Sequence, residues 1–177
     1  LAWSRGLGDV YKRQGFQETC LLSCQRLLEN VLLMSGGYDG RLFGCAIMVN
    51  LDIPYTWVNG KPYKFDKDHF TPIFEAPRML VCDCEAPFLD ARIISGHAPS
   101  ANATYAEKQE WYTLLVKYAS VSKQLLLFLD TNARHEIITG SVEAPSPGVA
   151  DNAERFSNFI TEQQLQLPND TPRFTCL

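Results

Sequence analysis

Lys123 to His135 reads KQLLLFLDTNARH, and the reading of this stretch decides the fold. Leu125 to Leu129 form an unbroken apolar run of the length and composition expected of a strand buried on both faces. The run ends in Asp130-Thr131-Asn132, and Ala133-Arg134-His135 follow. A buried strand that delivers a carboxylate and an amide at its carboxyl end places polar chemistry on a rigid base, where sites in layered α/β folds are usually found. The plainer reading is that Asp130 and Asn132 start a turn, which both residue types favour.

Working outward, two more stretches bear on that choice. Gly15-Phe16-Gln17-Glu18-Thr19-Cys20 lies near the start, and Ala91 to Ser100, ARIISGHAPS, is an alternating strand that ends in His97-Ala98-Pro99. In order and spacing the three pieces resemble the endonuclease/exonuclease/phosphatase superfamily of metal-dependent phosphoesterases. Its successive signatures are Gln-Glu-Thr, a strand ending in His or Tyr before Ala-Pro, and Gly-Asp-x-Asn. The resemblance runs from about Gly15 to Thr175. It implies a four-layer sandwich of two mixed β-sheets flanked by helices. Pattern alone gives α/β or α+β, with locally paired strands suggesting two sheets face to face. The segment from Asn152, NAERFSNFITEQQL, resembles the helix after the Asp-x-Asn motif in retrotransposon-encoded endonucleases, the branch associated with reverse transcriptase.

The resemblance also implies roles. Glu18 matches the family's metal-binding glutamate, and a hard oxygen ligand suits Mg²⁺ or Mn²⁺. Asp130 matches the aspartate that positions or deprotonates the attacking water. Asn132 matches the amide that orients the phosphate, with Arg134 a further phosphate contact. His97 matches a histidine able to donate to a phosphate oxygen or act as a general acid. His69 and His135 read as structural. The substrate implied is DNA, and the location intracellular and nuclear. A phosphatase or deadenylase-like enzyme of the same fold, or a degenerate binding domain without activity, are the alternatives.

The sequence also departs from the family. No Asn-bearing strand precedes Gln17, Leu129 stands where the family has Gly, and Thr131 replaces the common Phe. No Asp-His pair occurs after His135. The expectation is a domain incomplete at both termini, with little activity of its own. Residues 1–14, LAWSRGLGDVYKRQ, show no periodicity and read as a non-native linker or adapter-derived segment. Residues 15–177 are then a partial domain.

Composition sets the outer bounds. The 177 residues suffice for one domain with a sizeable core. The formal net charge is −4, and without residues 1–14 the chain carries 13 basic and 19 acidic residues, a charge of −6. No Lys/Arg-rich run offers a broad grip on a nucleic-acid backbone, so contact would fall to scattered residues such as Lys61, Lys64, Lys67, Arg92 and Arg134. No apolar run approaches the length of a membrane span, and no signal peptide is visible. The six cysteines lack Cys-x-x-Cys spacing and read as reduced, mostly buried thiols.

Local patterns complete the expectation. Leucines at mixed three- and four-residue spacings predict an amphipathic helix from Cys20 to Met34. Phe43 to Leu51 reads as a buried strand, Val58-Asn59-Gly60-Lys61 as a tight turn, and residues 62–77 as a long irregular loop. Arg78 to Cys84 and Leu89 to Gly96 read as an antiparallel pair. Thr104 caps a helix, with Glu107 at the capping-box spacing and Trp111, Leu114, Leu115 and Tyr118 inward. A last helix starts at Asp151 or Asn152, with Phe156, Phe159 and Ile160 inward.

Overall fold

Strand β1, Arg13–Phe16, is the first described element, and Arg13 and Gln14 of the segment set apart above pair with Val49 and Met48. The computed structural model describes residues 13–37, 44–133 and 146–165. The chain divides into two units, residues 1–97 with 122–129, and residues 98–121 with 130–177.

The first unit is built of strands. Cys20 to Met34, expected as a helix, contains instead the hairpin of β2 (Cys24–Leu28) and β3 (Val31–Ser35). Glu29 turns the corner at φ 52°. The reason lies in Val31 to Met34, where burial alternates: Leu32 and Met34 are each 1% exposed, while Val31 and Leu33 are half-buried. That is a period of two, which the repeated leucines disguise as a helical spacing. Strand β4, Ala46–Asn50, pairs with both β1 and β3, giving an antiparallel sheet in the order β1-β4-β3-β2.

Strands β5 (Thr56–Val58) and β6 (Lys61–Tyr63) form the expected tight hairpin, with Asn59 at φ 50° and Gly60 at φ 75°. Residues 62–77 are more ordered than expected. A 3₁₀ turn at Lys67–His69 is closed by a capping box in which Asp66 N–H donates to His69 Nδ1, giving His69 the structural role read for it. Strand β7, Phe70–Ala76, follows, with its register shifted between Pro72 and Phe74. Pro72 lacks an N–H, so it sits on an edge strand and at an irregularity.

Strands β8 (Met79–Ala86) and β9 (Leu89–His97) pair antiparallel as expected, from Met79↔Gly96 to Ala86↔Leu89. They are interior strands and their apolar runs are buried: Val81, Cys82, Ile93 and Ile94 are fully covered. Strand β10, Gln124–Asp130, completes the order β10-β9-β8-β7. The expectation of a strand buried on both faces fails here. Among the described residues β10 is an edge strand, and Leu125 to Leu129 are all half-buried. Leu126 and Phe128 join the core shared by the two sheets, which includes Leu32, Met34, Ile47, Val49, Leu80, Cys82 and Ile93. Fully burying a side chain of this kind is worth about 1.5–3 kcal/mol. Cys82 and Cys84 fall on one covered face as read from their spacing, and burial raises the Cys82 thiol to about 12.

The second unit carries the helices. Helix α1, Tyr105–Ala119, has the expected Thr104–Glu107 capping box and buries Trp111, Tyr112 and Leu115, with Leu114 and Tyr118 half-buried. Helix α2, Pro147–Glu162, starts four residues earlier than expected, because Ser146 takes the N-cap position and Pro147 the first turn, where a missing N–H costs nothing. Phe156 and Phe159 are buried as expected, and Ile160 half-buried. Among the described residues no helix is long and apolar enough to cross a membrane. Several sheets together with helices make this an α/β sandwich class of fold.

Candidate functional site

The Gln17-Glu18-Thr19 turn is fixed by backbone and side chain together. Gln17 Nε2 donates to the Phe128 carbonyl of β10 at 3.0 Å and to Ser95 Oγ of β9 at 3.4 Å. Ser95 Oγ in turn donates to the Phe16 carbonyl at 3.1 Å. Just before it, Gly15 faces β10 so closely that an added Cβ would stand 2.3 Å from Phe128 Cβ. Just after it, Thr19 N–H donates to the Gly44 carbonyl at 3.1 Å. Between these anchors Glu18 takes φ 55° and is exposed. Among the described residues no cation pairs with it.

His97 ends β9 at 5% exposure, its N–H donating to the Arg78 carbonyl at 2.9 Å. Beneath it, Cys45 is fully buried against the His97 backbone and the Ser95 hydroxyl, and burial raises its thiol to about 12. It is a space-filling neutral group at neutral pH.

In the second unit, Asp130 and Asn132 meet. Asn132 N–H donates to Asp130 Oδ1 at 3.0 Å, with Asn132 at φ 47°. This is the turn that the plainer reading expected, so the acidic side chain helps shape its own loop. The Asp130 side is exposed, while its carbonyl accepts from Ala98 N–H at 2.8 Å. Asn132 Nδ2 donates to the Ala98 carbonyl at 2.8 Å, so one of its two N–H groups is engaged. Glu18 and His97 belong to the strand unit, Asp130 and Asn132 to the helical one. Arg134 and His135 lie outside the described residues.

Two residues escaped the sequence reading. Gln17 was seen only as part of a motif, although its side chain links the three strands that lead into the three motifs. Asn152, thought of as a helix start, is fully buried on the inner face of α2, and its Nδ2 donates to the carbonyls of Pro99 (3.0 Å) and Asn132 (3.2 Å). The signal available was spacing: Asn152 lies one helical turn before Phe156, on the stripe that Phe159 continues.

Among the described residues no three His, Cys, Asp or Glu side chains are grouped to hold a metal ion. A zinc centre would need such a group. Mg²⁺ asks less, because it keeps several waters and is commonly held by one or two carboxylates plus substrate phosphate. Glu18, exposed and without a cation partner among the described residues, fits that lesser demand.

No family profile matches this sequence, and no curated protein sequence matches it. A solved structure does: the endonuclease domain of TRAS1, a telomere-specific non-LTR retrotransposon, at a TM-score of 0.53 and 16% identity over 81% of this chain. The likeness is one of fold. The chain spans 57% of the length of that neighbour.

Proposed function

We propose that this chain is part of a Mg²⁺- or Mn²⁺-dependent phosphodiester hydrolase of the retroelement endonuclease type, with DNA as substrate. The observation that carries the reading is the Gln17 side chain, which ties β10 and β9 to the turn bearing Glu18. Three motifs far apart in sequence are thereby led in by strands locked to one another. The fold likeness to a retrotransposon endonuclease domain supports the same reading.

In this proposal Glu18 holds the metal, which supplies charge neutralisation at the phosphate when bound. His97 donates to a non-bridging phosphate oxygen. Asn132, with one N–H engaged by Ala98, offers the other to a phosphate oxygen, and Arg134 adds a cation. Asp130 orients the water and accepts its proton as the new P–O bond forms and the bond to the leaving oxygen breaks. General-base assistance is worth on the order of 10² to 10⁴-fold. A carboxylate is an inefficient general base near neutral pH, so in this proposal turnover through Asp130 is slow beside metal-dependent binding.

The test exploits the acidity of the chain. With a net charge of −4, affinity for a labelled DNA duplex is low in EDTA and rises with Mn²⁺, because the cation bridges carboxylate and phosphate. Glu18→Gln removes the Mn²⁺-dependent increment and leaves the remainder. DNA affinity indifferent to both Mn²⁺ and Glu18 would refute the proposal.

A further inference from the structure

A fully buried asparagine in mid-helix is a poor choice for stability unless its donors are needed, since an apolar residue would fill the stripe without desolvating an amide. Asn152 is such a residue. Both its N–H groups are used, one on the Pro99 carbonyl and one on the Asn132 carbonyl. Its Oδ1 is buried and has no hydrogen-bond partner among the described residues. The side chain is thus held by its donors alone, at the expense of an unsatisfied acceptor.

Its two targets are the segments that follow two of the motifs. Pro99 lies two residues past His97, and Asn132 two residues past Asp130. Ala98 closes the ring, giving its N–H to the Asp130 carbonyl and taking Asn132 Nδ2 on its own carbonyl. Asn132 sits in the left-handed region, which asparagine adopts more readily than other L residues and which hydrogen bonds here hold in place. Of the bonds that do so, those from Ala98 and Asp130 are local to the two segments. The bond from Asn152 is anchored in a helix.

That anchor is itself fixed. Tyr112 of α1 donates its hydroxyl to the Asn152 backbone carbonyl at 3.1 Å. One residue away, Asp151 pairs with Lys108 of α1 at 3.0 Å, and Lys108, 2% exposed, also donates to the carbonyls of Ala101 and Gly148. Arg155 pairs with Asp151 within α2 at 2.9 Å and donates from Nη1 to Gln109 Oε1 of α1 at 2.8 Å. The start of α2 is therefore pinned to α1 on both sides of Asn152.

We infer that Asn152 is a positioning residue: its buried amide sets the loop that carries Asn132 against the Ala98–Pro99 segment. The inference rests on the proposed phosphate role of Asn132, but its geometric part stands apart from that role. Asn152→Ala removes the donor, and Asn152→Asp keeps the shape while turning a donor into a charge that faces two carbonyls.

Two measurements on the full chain separate the possibilities. Amide hydrogen exchange is expected to rise at least tenfold at Ala98 and Asn132 in Asn152→Ala, and further in Asn152→Asp, while the amides of β8 are unchanged. Because the Asn132 contact to phosphate needs no metal, DNA affinity in EDTA is expected to fall in both variants while the Mn²⁺-dependent increment carried by Glu18 is preserved, a split that general loosening of the fold would not give. Exchange that rises evenly along the chain, or not at all at Ala98 and Asn132, would overturn the inference. If the unaltered chain shows no Mn²⁺-dependent DNA binding, the proposed function fails, and the exchange measurement alone decides the place of Asn152.

Discussion

Gly15→Ala is a single methyl placed where the strand unit has no room for one. The added Cβ would meet Phe128 Cβ at 2.3 Å, Cγ at 2.6 Å and Cδ2 at 3.0 Å. Ordinary carbon contacts need roughly 3.5–4.0 Å, so β1 and β10 must separate by more than about 1 Å. Turning the Phe128 ring does not help, since Cβ moves only with the backbone. Overpacking of this kind costs about 1–3 kcal/mol. The same separation stretches the bond from Gln17 to the Phe128 carbonyl, now 3.0 Å, for about 1 kcal/mol more. Against this stands a gain of about 0.4–1 kcal/mol from a less flexible unfolded chain. The net expectation is a loss of roughly 2–3 kcal/mol, read by urea titration as a lower midpoint at unchanged slope. Gly60→Ala is the control: nothing lies within 4 Å of the added carbon, but φ is +75°, so strain alone should cost about 1 kcal/mol. A Gly15→Ala protein within 0.5 kcal/mol of the original, by the same titration, would refute the argument from close approach.

Asp83 is held by Arg92 at 2.6 and 2.9 Å and by Lys123 at 3.3 Å, and the bond from Arg92 is the chief cause that lowers its carboxyl below the ordinary range. Its contribution is complete above about pH 4 and is lost as pH falls through the lower folded value; Asp83→Asn should remove that acid limb and cost on the order of 3 kcal/mol at pH 7, measured by denaturation across pH. Thiol labelling at pH 8 should modify exposed Cys20 first and reach Cys45 and Cys82 only with unfolding, since both are fully buried with their thiols raised to about 12; modification of Cys82 in the native state would contradict the packing of β8. Lys108→Met keeps the apolar stem but strips two carbonyls and Asp151 of their donor, for a loss of about 2–4 kcal/mol by thermal unfolding.

What the sequence disclosed follows from what each signal depends on. The β8–β9 pair, the Asn59-Gly60 turn and the Thr104–Glu107 cap are set by residues a few positions apart, and each was legible. The Cys20–Met34 segment was not, because leucines at 27, 28, 32 and 33 satisfy helical spacing and alternation equally. Only the partner strand β4 makes the choice. Leu125–Leu129 announced a strand but not its place at an edge, since an apolar run carries no count of its neighbours. At the candidate site, residue types were legible and ties were not. The bond from Gln17 to Phe128 spans 111 positions, and no local pattern encodes it. Asn152 was hidden for the same reason, as a polar residue on an apolar stripe whose purpose lies in two distant carbonyls.

The strand unit is discontinuous, residues 98–121 intervening between its two parts, and this bears on how the protein is made. During synthesis β9 is made before its outer neighbour β10. At about 5–20 residues per second the ribosome needs seconds to deliver the intervening stretch. Without β10 the edge of β9 is bare, the groove at Gly15 lies open and Gln17 has no Phe128 carbonyl to hold. A chain released after residue 121 would present an unpaired apolar edge to other chains. Until β10 arrives, the strand unit is therefore in a form that a chaperone would have to shield.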